Sequence, residues 1–195
     1  GYARSTGRLG VCLATSGPGA TNLITALADA MMDSVPLLAI TGQVPTAAIG
    51  SDAFQEIDVL GMSLSCTKHS YMVERAEDLA EILQEAMHLA QSGRPGPVLV
   101  DIPKDIQMAQ VPFKPWLAAD EYLPQLDLNQ VAIANQLLSE AKQPVAYVGG
   151  GVHAADAQNE LMQFLNKTQM PAVSTLKALG SVLPDYEYDL GMLGM

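Results

Sequence analysis

Residues 97–102, Pro-Val-Leu-Val-Asp-Ile, are a short and almost wholly apolar run. Such a run has no face to offer water, so it suits a strand covered on both sides. Two similar runs precede it, Gly-Val-Cys-Leu-Ala-Thr at 10–15 and Val-Pro-Leu-Leu-Ala-Ile-Thr at 35–41. Between the runs the apolar period changes to helical. Residues 20–33 carry Leu23, Leu27, Ala30 and Met31 at that spacing and close on Asp33-Ser34. Residues 76–91 put Leu79, Ile82, Leu83, Ala86, Leu89 and Ala90 on one face, with Glu77, Asp78, Glu81 and Glu85 opposite. Apolar strands alternating with helices predict an α/β fold, a parallel sheet with helices on both faces. Tyr71–Glu74 is left open as a further strand.

From Gln110 to Leu128 the character changes. Pro112, Pro115 and Pro124 sit among Trp116, Asp120, Glu121 and Asp127, which reads as an ordered linker. A second α/β unit follows: helix 128–141, strand 144–149, a Gly149-Gly150-Gly151 turn, helix 155–167 and strand 171–174. The expected division is a first domain over 1–109, a linker over 110–127 and the start of a second domain over 128–195. With no initiator Met and no cap at its end, the chain reads as a piece of a longer protein.

Hydrophobic residues make up 49% and charged residues 16%, which is globular composition and excludes overall disorder. Ten Lys and Arg against 21 Asp and Glu give a net charge of −11. That balance argues against a broad nucleic-acid surface or a polybasic membrane patch. No apolar run approaches the ~20 residues of a membrane span. Cys12 and Cys66 provide neither a disulfide framework nor a four-ligand metal set, so a reducing compartment is the easier reading. His69, His88 and His153 do not cluster at metal-ligand spacing.

Several loops could carry chemistry. Thr15-Ser16-Gly17-Pro18-Gly19-Ala20-Thr21-Asn22 joins a strand to a helix, where glycine lets a ligand approach backbone N–H groups; it is equally a tight βα turn. Thr41-Gly42-Gln43-Val44-Pro45 and Ile49-Gly50-Ser51-Asp52-Ala53-Phe54-Gln55-Glu56 fall where the carboxyl ends of parallel strands place binding loops. Phe54 and Gln55 offer an apolar face beside an amide, or a packed aromatic beside a solvated Gln. Arg94, between Gly93 and Pro95, suits a phosphate or planar anion, or is a surface Arg on a rigid turn. Lys104 could meet an anion or pair with Asp105. Gly149–Gly151 could admit a nucleotide or form a plain turn.

Taken in order, Gly-Tyr-Ala-Arg (1–4), Thr-Ser-Gly-Pro-Gly-Ala-Thr-Asn (15–22), Ile-Thr-Gly-Gln-Val-Pro (40–45), Asp-Ala-Phe-Gln-Glu (52–56), Cys-Thr-Lys-His (66–69), Ser-Gly-Arg-Pro-Gly-Pro-Val-Leu-Val-Asp-Ile-Pro-Lys-Asp (92–105), Val-Gly-Gly-Gly (148–151) and Leu-Gly-Met-Leu-Gly-Met (190–195) resemble the catalytic subunits of the acetolactate synthase (acetohydroxyacid synthase) family. That family uses thiamine diphosphate (ThDP). The resemblance implies a pyrimidine-binding domain followed by the opening of a flavin-contacting domain. The family's catalytic Glu would precede residue 1, and the Mg2+ ligands would lie in a third domain, so this piece alone should be inactive. It implies decarboxylation of pyruvate and carboligation to a second 2-keto acid, 2-ketobutyrate included, giving 2-acetolactate or 2-aceto-2-hydroxybutyrate for branched-chain amino-acid synthesis.

Carried over by position, Pro18, Asn22, Phe54 and Gln55 would lie near ThDP, with Gln55 supporting catalysis. Pro45, Ala53, Lys68 and Lys104 match the substrate channel where herbicides bind. Arg94, Gly150, Thr175, Leu176, Met192, Leu193, Gly194 and Met195 match FAD contacts. The implied partners are a second copy, as a homodimer or tetramer, and a small regulatory subunit, with no nucleic acid or membrane. The implied location is the cytoplasm in a bacterium, with organelle targeting left open. A pyruvate oxidase-like flavoenzyme and a non-enzymatic flavin- or nucleotide-binding module are the rival readings.

Overall fold

The apolar runs become strands of one parallel sheet. Its strands are β1 (Gly10–Ala14), β2 (Leu37–Gln43), β3 (His69–Met72) and β4 (Pro97–Pro103), in the spatial order β1-β2-β4-β3. The segment left open at 71–74 is thus a strand, shifted to 69–72, at one edge. β4 lies between two neighbours and every one of its seven residues is buried. This is a computed structural model that describes residues 1–112 and 126–194. The chain forms two compact units, Gly1–Leu123 and Pro124–Met195.

The helices of the first unit are α1 (Tyr2–Thr6), α2 (Pro18–Thr21), α3 (Ile24–Met32), α4 (Val59–Ser63), α5 (Leu79–Gln91) and α6 (Lys104–Met108). Alternation along the central strands divides the core between the two faces. Leu38, Val98, Val100 and Ile102 pack with Ala86 and Ala90 of α5. Leu99 and Ala39 face the other way, onto Ala20, Leu27 and Val59 of α2, α3 and α4. The helix expected over 20–33 begins at Pro18 and is divided. The backbone tightens where the Leu23 N–H donates to the Ala20 carbonyl, three residues back.

In the second unit α7 (Leu128–Glu140), β5 (Ala146–Val148), α8 (Gly151–Ala154), α9 (Gln158–Thr168), β6 (Ala172–Ser174) and β7 (Asp189–Met192) follow in turn. The strands pair in parallel in the order β5-β6-β7. Asp127 caps α7, its carboxylate accepting from the N–H groups of Asn129 and Gln130. The helix expected over 155–167 starts later, because Asp156 adopts a left-handed φ of 51° between α8 and α9. Of the linker expected over 110–127, residues 113–125 lie outside the described residues. No described helix is long and apolar enough to cross a membrane.

Candidate functional site

At the carboxyl edge of the first sheet, β1 hands over to α2 through Thr15-Ser16-Gly17. Pro18 takes the first helical position, where a missing N–H is harmless. Gly17 has φ 58° and ψ −119°, a backbone that only glycine enters freely. A Cβ there would lie 2.7 Å from the Gln55 carbonyl oxygen and 2.9 Å from the Gln55 Cα. The glycine turn and the loop after β2 are therefore in backbone contact. Gln55 itself has a φ of 61°, rare for a long side chain. Beside it Phe54 is 89% exposed.

Carboxylates hold this loop. The Gly50 N–H donates to one oxygen of Glu56 and the Ala53 N–H to the other, at 2.8 Å. These backbone donors hold the Glu56 carboxyl below the usual range. Asp105 accepts from the Thr46 N–H at 3.0 Å and from its hydroxyl at 2.5 Å, which lowers its pKa and pins the residue after Pro45. Asp58 caps α4 by accepting from the Gly61 N–H at 2.9 Å. Beneath them Asp101 of β4 is fully buried and accepts from the Thr41 hydroxyl at 2.6 Å and the Gln43 amide at 3.0 Å. Burial pushes the Asp101 pKa up to about 6, against the pull of the two hydrogen bonds and with a small push from Asp58. A buried carboxylate without a cation costs several kcal/mol; the four buried apolar side chains of β4 return roughly 1.5–3 kcal/mol each, so the strand tolerates it.

The structure brings some of the expected site residues together and separates others. Pro18, Asn22, Pro45, Ala53, Phe54, Gln55 and Lys104 all stand on loops or helix starts at the carboxyl edge. Lys104 is exposed and, among the described residues, in no salt bridge; Asp105 is engaged with Thr46 instead. Lys68 and Arg94 precede β3 and β4, so they lie at the opposite edge, about 20 Å away along the seven residues of β4. Each serves a helix end. Lys68 Nζ donates to the carbonyls of Leu89, in the last turn of α5, and of Ser92, its C-cap, and burial lowers its pKa. Arg94 donates through Nε to the Ser34 hydroxyl at 2.8 Å, and through Nη2 to the carbonyls of Met31 and Met32 at 3.1 and 3.0 Å. Cations at these carbonyls complement the helix dipole.

In the second unit Gly150, Thr175, Leu176, Met192, Leu193 and Gly194 gather at the carboxyl ends of β5, β6 and β7. Met195 lies outside the described residues. Gly149 and Gly151 face open space, whereas a Cβ on Gly150 would meet the Lys177 Cβ at 2.9 Å. The middle glycine thus lets the chain approach itself.

Sequence reasoning did not single out Gln43, Glu56 or Asp101. The visible signals were an acid inside an apolar strand and a carboxylate closing a seven-residue loop from Gly50 to Glu56. Chemically the carboxyl edge of the first unit presents an exposed ring at Phe54 and amides at Gln55 and Asn22, with no cation in 15–22 or 43–56. Such a surface can pair with a planar ring that has both donors and acceptors. Among the described residues no three His, Cys, Asp or Glu are grouped to hold a metal ion. At Gly149 and Gly151 the backbone is open, with nothing within 4 Å of where a Cβ would stand.

Residues 1–62 match the thiamine pyrophosphate enzyme N-terminal TPP binding domain, and residues 131–195 match the central domain of the same enzymes. The chain is 59% identical over 195 residues to the acetolactate synthase isozyme 2 large subunit of Escherichia coli K12, covering all of this chain and 36% of that protein. It is 53% identical over 199 residues to the acetolactate synthase large subunit of Corynebacterium glutamicum, covering all of the chain and 32% of that protein. It is 51% identical over 202 residues to the chloroplastic acetolactate synthase 3 of Brassica napus, with all of the chain and 30% of that protein covered. The chain spans about a third of the length of these relatives. With the glycine turn, the Phe54-Gln55 loop and both domain matches in one chain, it belongs to the thiamine pyrophosphate enzyme family, in its acetolactate synthase branch.

Proposed function

We propose that this chain is part of the catalytic large subunit of an acetolactate synthase, which joins pyruvate to a second pyruvate or to 2-ketobutyrate and yields 2-acetolactate or 2-aceto-2-hydroxybutyrate. The observation that carries the reading is the backbone contact between Gly17 and the left-handed Gln55, in a chain that matches such large subunits along its whole length. ThDP, when bound, supplies the carbanion chemistry of decarboxylation and carboligation. Pro18 and Asn22 would border its pyrimidine and Phe54 would give it a flat apolar wall. The Gln55 amide donates and accepts at once, so it can follow a reacting group whose charge changes. Pro45, Ala53 and Lys104 would line the approach taken by 2-keto acids and by herbicide-type inhibitors. Lys104, exposed and in no salt bridge among the described residues, would attract their carboxylates.

Arg94 would meet FAD through Nη1, the amino group its helix-end bonds leave over. Gly150, Thr175, Leu176 and residues 192–195 would contact FAD within the second unit. Mg2+ would be bound by residues outside this chain, in a homodimer or tetramer joined by a small regulatory subunit, in the cytoplasm of a bacterium or in an organelle. Residues 1–109 would form the pyrimidine-binding domain and 128–195 the start of the flavin-contacting domain.

The test is Gln55→Ala in the full-length protein with its cofactors. An exposed neutral amide gives less than the ~2.7–4 kcal/mol of a strong oxyanion donor, so kcat/KM for pyruvate should fall about tenfold. Melting temperature and flavin content should stay at wild-type values. Unchanged acetolactate kinetics would reject the role.

A further inference from the structure

Gln43 closes β2, is 6% exposed, and uses its one side-chain amide three ways. Nε2 donates to Asp101 at 3.0 Å and to the Ile57 carbonyl at 2.9 Å. Oε1 accepts from the Val44 N–H at 2.9 Å. Both amide hydrogens and the oxygen are thereby assigned, so the amide has one orientation. Val44 precedes Pro45, and Ile57 follows Glu56, which itself closes the loop carrying Phe54 and Gln55. The two ends of the segment 44–57 are therefore tied to a single side chain. That side chain is held from below by a carboxylate, which is fixed in turn by Thr41 at 2.6 Å across the β2–β4 register.

We propose that Gln43, anchored by Asp101, is a positioning residue that sets where Phe54 and Gln55 stand over the glycine turn. Gln43 touches neither substrate nor cofactor; it acts through the ends of the loop. The inference rests on the acetolactate synthase reading for its kinetic consequence, and on the hydrogen bonds alone for its structural one. Asp101 acts as an acceptor here rather than as a charge, so an amide carbonyl at 101 does the same work, with the Thr41 hydroxyl turning to accept.

The experiment compares wild type, Gln43→Leu and Asp101→Asn in the full-length protein. It reads acetolactate kcat and pyruvate KM in the holoenzyme, and amide hydrogen exchange over residues 44–57 in the cofactor-free protein. Gln43→Leu keeps buried volume and removes all three bonds. Its kcat should fall about tenfold or more, since displacements of about 1 Å cost up to a hundredfold, while KM stays within about threefold. Exchange over 44–57 should speed up at least about tenfold, with β1 unchanged. Asp101→Asn should stay within about threefold of wild type in both readouts. Gln43→Asn, one methylene too short to reach all three partners, should show the same loss and serves if the Leu variant does not fold. The proposal is overturned if the Gln43 variants keep kcat and exchange within about twofold of wild type, or if Asp101→Asn loses as much as they do. A wild-type protein that makes no acetolactate would overturn the functional reading instead, and the exchange readout would still decide whether Gln43 holds the loop.

Discussion

Gly17→Ala adds one methyl group where the glycine turn meets the Gln55 loop. The new Cβ would lie 2.7 Å from the Gln55 carbonyl oxygen, against ordinary contacts of 3.4 Å or more. One backbone must therefore move by about 0.7 Å. The neighbour that must give is main chain, so no rotamer change relieves the clash. The backbone at φ 58°, ψ −119° adds a conformational penalty of about 1–3 kcal/mol for any residue with a Cβ. Overpacking adds about 1–3 kcal/mol. If the loop yields, stability loss falls toward the lower figure and the displacement passes to Phe54 and Gln55. A shift of that size is enough to lower kcat/KM by one to two orders of magnitude. The assay is steady-state acetolactate formation by the full-length protein, beside its melting temperature. Each kcal/mol corresponds to about 2–4 °C in a domain of this size. An Ala variant with wild-type kinetics and melting would refute both the contact and the reasoning from it.

Arg94→Ala should lower the melting temperature by a few degrees, because the ends of α3 and Ser34 lose three donated hydrogen bonds. It should also weaken FAD binding by about tenfold in titrations of the full-length apoenzyme; lower melting with an unchanged flavin Kd would leave Arg94 as a helix cap only. Asp101 gives a pH dependence of defined sign. Its folded pKa of about 6 stands above the ordinary 3.8, so the folded chain holds this proton more tightly than the unfolded one. The contribution is fully present below 3.8 and is lost as pH rises through 6. Relative to Asp101→Asn, wild type should lose about 2–3 kcal/mol between pH 4 and 7, at about 1.4 kcal/mol per pH unit. Glu56 and Asp105 are shifted the other way and are common to both proteins, so they cancel. Parallel melting curves that keep a constant separation across that range would reject the raised value.

The central layer was legible because burial on two faces leaves a local trace. Val98, Leu99, Val100 and Ile102 announce β4, and the 3.6-residue period announces α5. β3 left a weaker trace, since at the sheet edge His69 is exposed and Ser70, Tyr71 and Met72 are only half-buried. β7 left none: Asp189-Leu190-Gly191-Met192 has one glycine at φ 76° and no buried residue. Among the loops, Phe54 and Gln55 stood out by residue type and family resemblance. What supports them did not, because hydrogen bonds such as Thr41–Asp101 and Thr46–Asp105 join residues about sixty apart in sequence. The helix-end roles of Lys68 and Arg94 were hidden for the same reason. Glu56, closing its own loop, and Asp58, capping the helix that follows it, act within reach of a local reading.

The two edges of the first sheet carry different burdens, and electrostatics explains the division. At the amino edge, Lys68 and Arg94 spend their donors on carbonyls at helix ends, which favours stability. At the carboxyl edge, Glu56 spends its oxygens on N–H groups of its own loop, Asp105 on the N–H and hydroxyl of Thr46, and Asp58 caps α4, while Asp101 supports Gln43 below. An acid-rich chain of net charge −11 repels anions wherever such carboxylates face outward unpaired. Turned onto backbone N–H groups, they stiffen the rim. The rim carries the neutral groups Phe54, Gln55, Asn22 and Pro45, the exposed carboxylate of Asp52 and the cation of Lys104. Removing a carboxylate from this edge would therefore act on kinetics through loop geometry before it acted through charge. Removing a cation from the other edge would act on the melting temperature first.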